Sequence, residues 1–211
     1  MKLEQNRRLF TYYSLLTQMR VNGGNDYINL VNSILSGKCN QQACLENYDF
    51  KVMSDFNRFN NLQQKLEDEF TLSRMIAGYA WEWKSKKDKS LYDMELDGVK
   101  KQWNYRLENW VLSEGADKQV GCIHTIQGFD LNYGFVIMGN EIGYDPESKE
   151  IIVRPENYYD QNGRKTASKE ELLEYIKHIY YVLMTRGIKG TYLYICDDNL
   201  RKYVSSIIGV I

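Results

Sequence analysis

Apolar residues recur along this chain at the three- and four-residue spacing of helices that bury one face. Capping residues and glycines bound these segments: Ser168 and Glu171 form a capping box, and Gly187 follows the stretch that they open. We therefore predict helices that begin near residues 25, 55, 168 and 197, the last of them running toward Ile208.

Short apolar runs between these helices predict strands. They cover residues 49–53, 75–79, 120–125, 135–138 and 191–196. A predicted helix separates the first two runs, which is the signature of parallel pairing through a crossover connection. Because strands and helices alternate and neither a repeat nor a linker interrupts them, we predict one α/β domain over residues 1–211.

Composition narrows the class of protein. Of the 211 residues, 43% are hydrophobic and 26% charged, which is typical of soluble globular proteins. The 27 basic and 28 acidic residues nearly cancel, which argues against a domain held on nucleic acid by bulk charge alone. No apolar run approaches the roughly 20 residues that cross a bilayer, and no secretory signal is present, so we expect a cytoplasmic protein with no membrane partner.

The sequence holds no self-contained catalytic set. It lacks the phosphate-binding pattern G-x-x-x-x-G-K-[ST], the elbow G-x-S-x-G and the zinc motif H-E-x-x-H. The pair Cys39 and Cys44 has no second pair to complete a zinc site, so no metal is expected. Asp93, Glu95 and Asp97 alternate on a strand-like stretch, but without a Lys or His partner they support a nuclease only weakly.

Two segments nevertheless combine features of a ligand site. Residues 121–130 run from a strand through polar side chains and Gly128 to an acid, Asp130, and an apolar strand follows. In open α/β sheets, ligands lie outside the carboxyl ends of strands, where we expect these side chains to project. In the second segment, Arg186 ends a predicted helix just before Gly187, where the helix dipole alone would also favour a cation.

Together these segments resemble the motifs of superfamily 1 helicases. Residues 121–139 resemble motif V, T-x-H-x-x-[KQ]-G-x-[ED] followed by an apolar strand, and residues 182–187 resemble motif VI, L-T-R-A. Residues 15–21 resemble motif IV. The chain departs from these patterns at three positions, where Cys122 replaces Thr, Asp130 replaces Glu and Gly187 replaces Ala.

Residues 74–84, 121–133 and 185–191 resemble a narrower family, the Schlafen group 3-like DNA/RNA helicase domain, and this resemblance covers nearly the whole chain. It implies a RecA-like fold, a mostly parallel sheet flanked by helices, in the second of two motor domains. ATP with Mg²⁺ would be held mainly by an N-terminal RecA-like domain of the same protein, and single-stranded DNA or RNA would be the other partner. The alternative is a RecA-like interaction or regulatory module without catalysis.

The resemblance also implies roles for individual residues. Arg186 and Arg20 would stabilise charge on the transferred phosphoryl group, because a guanidinium fork matches phosphate oxygens. Near the nucleotide, Gln127 and Gly128 would link the state of the bound nucleotide to the binding of nucleic acid, and Asp130 would contact the ribose. His124 and Thr125 would face the nucleic-acid backbone.

Trp81, Trp83 and Lys84 suggest a further nucleic-acid contact. On an extended strand the two indoles point the same way, and beside a lysine-rich loop they would stack on a single strand. The alternative is that an indole packs beneath a solvated lysine loop.

Overall fold

A computed structural model of the chain describes residues 19–39, 42–106, 108–160, 164 and 167–210. The strands are, in chain order, β1 (Asp49–Met53), β2 (Ser73–Ala77), β3 (Met94–Leu96), β4 (Val99–Lys101), β5 (Val120–Gly121), β6 (Leu131–Met138), β7 (Ile142–Asp145), β8 (Glu150–Val153) and β9 (Gly187–Ile195). The helices are α1 (Gly24–Leu35), α2 (Phe56–Phe70), α3 (Lys169–Met184) and α4 (Asp198–Ile208). None of the helices described is long and apolar enough to cross a membrane.

Within this described part, five strands form one parallel sheet in the order β1–β9–β6–β2–β5. The predicted α/β class is confirmed, and a parallel sheet flanked by helices is consistent with a RecA-like fold. The predicted direct pairing of β1 with β2 is wrong, because β9 and β6 lie between them. The crossover helix α2 therefore connects two strands that are not neighbours in the sheet. The hairpins β3–β4 and β7–β8 lie outside the main sheet.

Helices cover both faces of the sheet. On β6, Val136 and Met138 belong to a core cluster that also contains the buried faces of α1, α3 and α4. Phe135 and Ile137 point to the opposite face, where they pack with the buried residues of α2. This alternation follows from the two-residue period of a strand. Burial on both faces explains why the carboxyl-terminal halves of β6 and β9, residues 135–138 and 192–195, carry only apolar and aromatic side chains.

Local capping chemistry agrees with most of the predicted helix starts. The capping box of Ser168 and Glu171 opens α3, and the side chains of Asp55 and Asp197 accept N–H bonds at the starts of α2 and α4. At α1 the structure differs, because the helix begins after Gly23 without a side-chain cap.

The strand predicted over residues 120–125 ends at Gly121. Residues 123–128 form consecutive turns instead. Val120 of β5 and Phe135 of β6 both pair with Met75, so the two strands flank β2 at the same position along its length. Because β5 and β6 are parallel to β2, the chain from 122 to 130 has to return from the carboxyl end of β5 to the amino end of β6. This return segment crosses the face of the sheet that carries α3, and Ile126 is buried on that face.

Candidate functional site

Three segments that are distant in sequence meet at the amino-terminal edge of β6 and β9. Asp130 directly precedes β6, and Arg186 directly precedes β9. The N–H of Leu131 donates to the carbonyl of Arg186 over 3.0 Å, which joins the two segments. This edge is opposite to the carboxyl edge where the sequence predicted the site, because the turns after β5 carry the chain back across the sheet.

Arg20 reaches the same edge from the segment before α1. Its Nε lies 2.7 Å from Oδ1 of Asp130, with both side chains close to half exposed at 45% and 47%. The neighbouring backbone holds it there, since Val21 is buried and the N–H of Asn22 donates to the carbonyl of Ile188 over 2.9 Å. Residues 15–18, the rest of the motif IV-like segment, lie outside the described residues.

Arg186 completes a cluster of three charged groups. Its guanidinium is half-buried, with Nη1 3.5 Å from the carbonyl oxygen of Phe129. Its Nε is buried and has no hydrogen-bond partner among the described residues. Burial lowers the pKa of Arg186, the nearby charge of Arg20 lowers it further, and the carboxylate of Asp130 opposes both effects. Two cations thus share one carboxylate, which leaves a net positive charge within this cluster.

The turns between β5 and β6 are held from inside by Thr125. Its Oγ1 accepts the N–H of Cys122 over 2.9 Å and donates to the Cys122 carbonyl over 3.0 Å, and the residue is only 2% exposed. The expectation that Thr125 faces outward is therefore not met. His124, Gln127 and Gly128 are exposed on the same segment.

Comparison with known proteins identifies the family of the chain. The sequence profile of the Schlafen group 3, DNA/RNA helicase domain matches residues 2–197. The chain belongs to this family. It is also 31% identical, over 215 aligned positions, to the uncharacterized protein YPL245W of Saccharomyces cerevisiae; the alignment covers 90% of this chain and 47% of that protein. The chain thus spans about half the length of the curated relative that it matches. No solved structure gives a significant match.

Gly187 shows why this Schlafen group 3 domain departs from the L-T-R-A pattern. A Cβ at Gly187 would lie 2.1 Å from the carbonyl oxygen of Gly190 and 3.0 Å from the backbone nitrogen of Gly134. Both are backbone atoms, which cannot rotate away as a flexible side chain would. The backbone of β9 approaches itself closely between Gly187 and Gly190, directly after Arg186, and this approach requires glycine at position 187.

In this helicase-family domain, the two tryptophans after β2 are packed rather than free. The strand ends at Ala77, and both Trp81 and Trp83 lie partly buried against the core on the α2 side. The Trp83 ring meets the buried Trp103 edge-on at 6.0 Å, and Nζ of Lys86 lies 5.0 Å from its centre. The packed alternative thus describes Trp83 better than the stacking one, while Lys84 is exposed.

The acidic residues considered for a nuclease have structural partners. Asp93 is buried, and its carboxylate accepts N–H bonds from Ser85 and Trp103 over 2.8 and 2.6 Å. Asp97 accepts the N–H of Phe56 over 2.8 Å, and Glu95 faces Lys100 across β3–β4. Within the described ranges, no three His, Cys, Asp or Glu side chains are grouped as metal ligands.

A pocket that the sequence analysis did not predict lies beside His124. It has a volume of about 400 Å³, and both histidines of the chain, His124 and His178, line it although 54 positions separate them in sequence. The helical spacing of Tyr175, His178 and Val182 is the only sequence signal for this wall of the pocket. Nothing in the sequence indicated that α3 would pack beside the turns after β5.

A buried carboxylate occupies the other end of the sheet. Glu141 is fully buried just after β6, where the Tyr180 hydroxyl donates to its Oε1. The same hydroxyl accepts the N–H of Gly139 over 3.1 Å. Oε2 of Glu141 has no hydrogen-bond partner in the described structure, and burial raises the pKa of this carboxyl to about 7.

Proposed function

We propose that this chain is the C-terminal RecA-like half of a nucleic-acid-dependent NTPase of the helicase type. Arg186 and Arg20 would stabilise negative charge on the phosphoryl group during its transfer. ATP and Mg²⁺ would be held mainly by an N-terminal RecA-like domain of the same protein. The observation that carries the proposal is the cluster of Arg20, Asp130 and Arg186, which three separate segments build at one edge of the sheet.

The electrostatics of this cluster favour an anion as the missing partner. Burial lowers the pKa of Arg186, the repulsion from Arg20 lowers it further, and Asp130 pairs directly with Arg20. A phosphate would relieve this repulsion and would supply acceptors for the guanidinium groups. The rigid guanidinium fork is suited to that geometry.

The turn segment supports a link between nucleotide and nucleic acid. Asp130 lies at one end of residues 122–130, and the exposed side chain of His124 lies near the other. Gly128 between them has a φ of +85°, and a Cβ at this position would meet no atom within 4 Å, so the backbone can change direction there. We infer that His124 and Lys84 face the nucleic acid, that Gln127 and Gly128 link the nucleotide state to nucleic-acid binding, and that Asp130 approaches the nucleotide ribose.

The test is the NTPase rate of this chain joined to its N-terminal ATP-binding domain, measured with and without single-stranded DNA or RNA. Nucleic acid should stimulate hydrolysis, and Arg186→Ala should lower kcat roughly 10³- to 10⁵-fold, the range for loss of an arginine finger. Arg58→Ala is the matched control, since Arg58 is exposed on α2 on the opposite face of the sheet. Hydrolysis that survives Arg186→Ala would refute the proposed role.

A second candidate, a non-catalytic RecA-like interaction or regulatory module, is favoured by one observation: the printed sequence contains no phosphate-binding loop. Under this alternative, the joined protein would bind nucleic acid without hydrolysing NTP. Arg186→Ala would then leave every measured property other than anion binding unchanged.

A further inference from the structure

The pocket beside His124 has walls that are mainly aromatic. Tyr79, Tyr158 and Tyr175 line it together with His124 and His178, and its volume of about 400 Å³ is within the range of small-molecule sites. It opens between α3, the turns after β5 and the segment that follows β8.

One wall is fixed by edge-to-face packing. The ring of Tyr79 lies 6.0 Å from that of Tyr158, 6.1 Å from that of His124 and 5.2 Å from that of the buried Trp103. Aromatic pairs at these separations contribute beyond the area that they bury. Tyr79 is therefore held in position before any ligand enters.

The other wall is supplied by α3. Tyr175 and His178 are three positions apart and share a face of the helix. Tyr175 is 54% exposed, although the remaining large aromatic residues of the pocket are mostly covered. An exposed ring at the edge of an aromatic pocket provides a surface on which a planar ligand can stack.

The charged groups of the pocket limit which planar ligands it can bind. Its described lining contains neither Lys nor Arg. It includes Asp160, whose carboxylate adds to the effect of burial in raising the pKa of both Tyr79 and Tyr158. The lining therefore offers a phosphate group no cationic side chain. A neutral heteroaromatic ring would stack, and its edge could bond to tyrosine hydroxyls and to imidazoles, which both donate and accept when neutral.

We propose that this pocket binds one unstacked nucleobase of a single-stranded nucleic acid, with Tyr175 as the stacking surface. The inference rests on the proposed function and deepens it, because His124 belongs to the turn segment that ends at Asp130. The phosphate backbone would pass outside the pocket. The base would contribute affinity with little dependence on sequence, since every base has a π-face.

The test is the binding of a short single-stranded oligonucleotide that carries one 2-aminopurine, followed by anisotropy and by quenching of the base. Tyr175→Ala should weaken binding about five- to hundredfold and abolish the quenching. Tyr175→Trp should preserve both. Tyr159→Ala is the matched control, because Tyr159 is also exposed, at 42%, but does not line the pocket.

An abasic nucleotide in place of the 2-aminopurine distinguishes binding of the base from binding of the phosphate backbone. It should weaken binding to the wild-type chain by the same factor as Tyr175→Ala and have no added effect on that variant. Binding and quenching that do not respond to Tyr175→Ala would overturn the pocket proposal while the NTPase assay still tests the proposed function. If the wild-type chain and the joined protein both fail to bind single strands, both proposals fall.

Discussion

The backbone N–H of Leu131 donates a hydrogen bond of 3.0 Å to the carbonyl oxygen of Arg186. Leu131 directly follows Asp130, whose carboxylate pairs with Arg20 at 2.7 Å. A shift of the backbone at Arg186 therefore moves Asp130 and, through it, Arg20. Asp130 and Arg186 respond together because the strands that they precede, β6 and β9, are adjacent in the sheet, and Arg20 is coupled to them through its ion pair with Asp130.

When this chain is joined to its N-terminal ATP-binding domain, Arg20→Ala and Arg186→Ala should each lower kcat. The fold-loss of kcat in the double variant should be smaller than the product of the two single fold-losses. Both guanidinium groups would act on the same developing charge, and residues that act as a unit are non-additive. The measurement is kcat at saturating ATP and nucleic acid, with Arg58→Ala as the unaffected control. Strictly multiplicative losses would assign the two arginines to independent sites.

Gly187→Ala should destabilise the domain by about 1–3 kcal/mol, the typical cost of overpacking. Its Cβ would lie 2.1 Å from the carbonyl oxygen of Gly190, in the same strand, and 3.0 Å from the backbone nitrogen of Gly134 on β6. Gly134→Ala on the facing strand is the matched control, since its Cβ would find its nearest neighbours at 3.6 Å. Urea unfolding measures both free energies. Equal stabilities of the two variants would show that the backbone around Gly187 and Gly190 relaxes at little cost.

Thr125→Val should lower the free energy of unfolding by about 1–3 kcal/mol, because it leaves the buried N–H of Cys122 without its acceptor. Thr125→Ser keeps the hydroxyl and should retain most of the stability. Urea unfolding and oligonucleotide binding are measured on both variants. Weaker oligonucleotide binding by Thr125→Val at an unchanged free energy of unfolding would instead support a direct contact between Thr125 and nucleic acid.

The sequence predicted the helices well because their signals are local. The capping box of Ser168 and the apolar stripe that follows it determine α3 within a few residues of chain, and the structure places the helix at Lys169–Met184. Strand pairing is not local. Nothing in residues 49–77 indicates that β9 and β6 insert between β1 and β2, because the partners come from the far end of the chain.

The site was only partly predictable for the same reason. Motif order associated Arg20 and Arg186, and the structure brings both beside Asp130. The edge on which they meet depends on where β5 ends, which a two-residue strand does not signal. The shared pocket of His124 and His178 depends on the packing of α3 beside the turns, and such packing leaves no short-range pattern.

Glu141 should make the stability of the domain depend on pH. Burial raises its pKa to about 7 in the folded state, whereas an unfolded glutamate titrates near 4.3. Between these values the folded state binds more protons than the unfolded state, so the contribution of Glu141 to the free energy of unfolding is lost as pH rises through this window. Above about pH 7 the folded protein carries a buried carboxylate, and the loss levels off.

Glu141→Gln should remove this dependence, since an uncharged amide can still accept the hydroxyl of Tyr180. Urea unfolding of wild type and variant is compared from pH 4 to 8. The variant should gain stability relative to wild type as pH rises, because only the wild type then has to bury a charge. Glu147→Gln, an exposed carboxylate in the turn between β7 and β8, should follow the wild-type curve. Parallel curves for Glu141→Gln and wild type would mean that the pKa of Glu141 is the same in the folded and unfolded states, contrary to its burial and its unpaired Oε2.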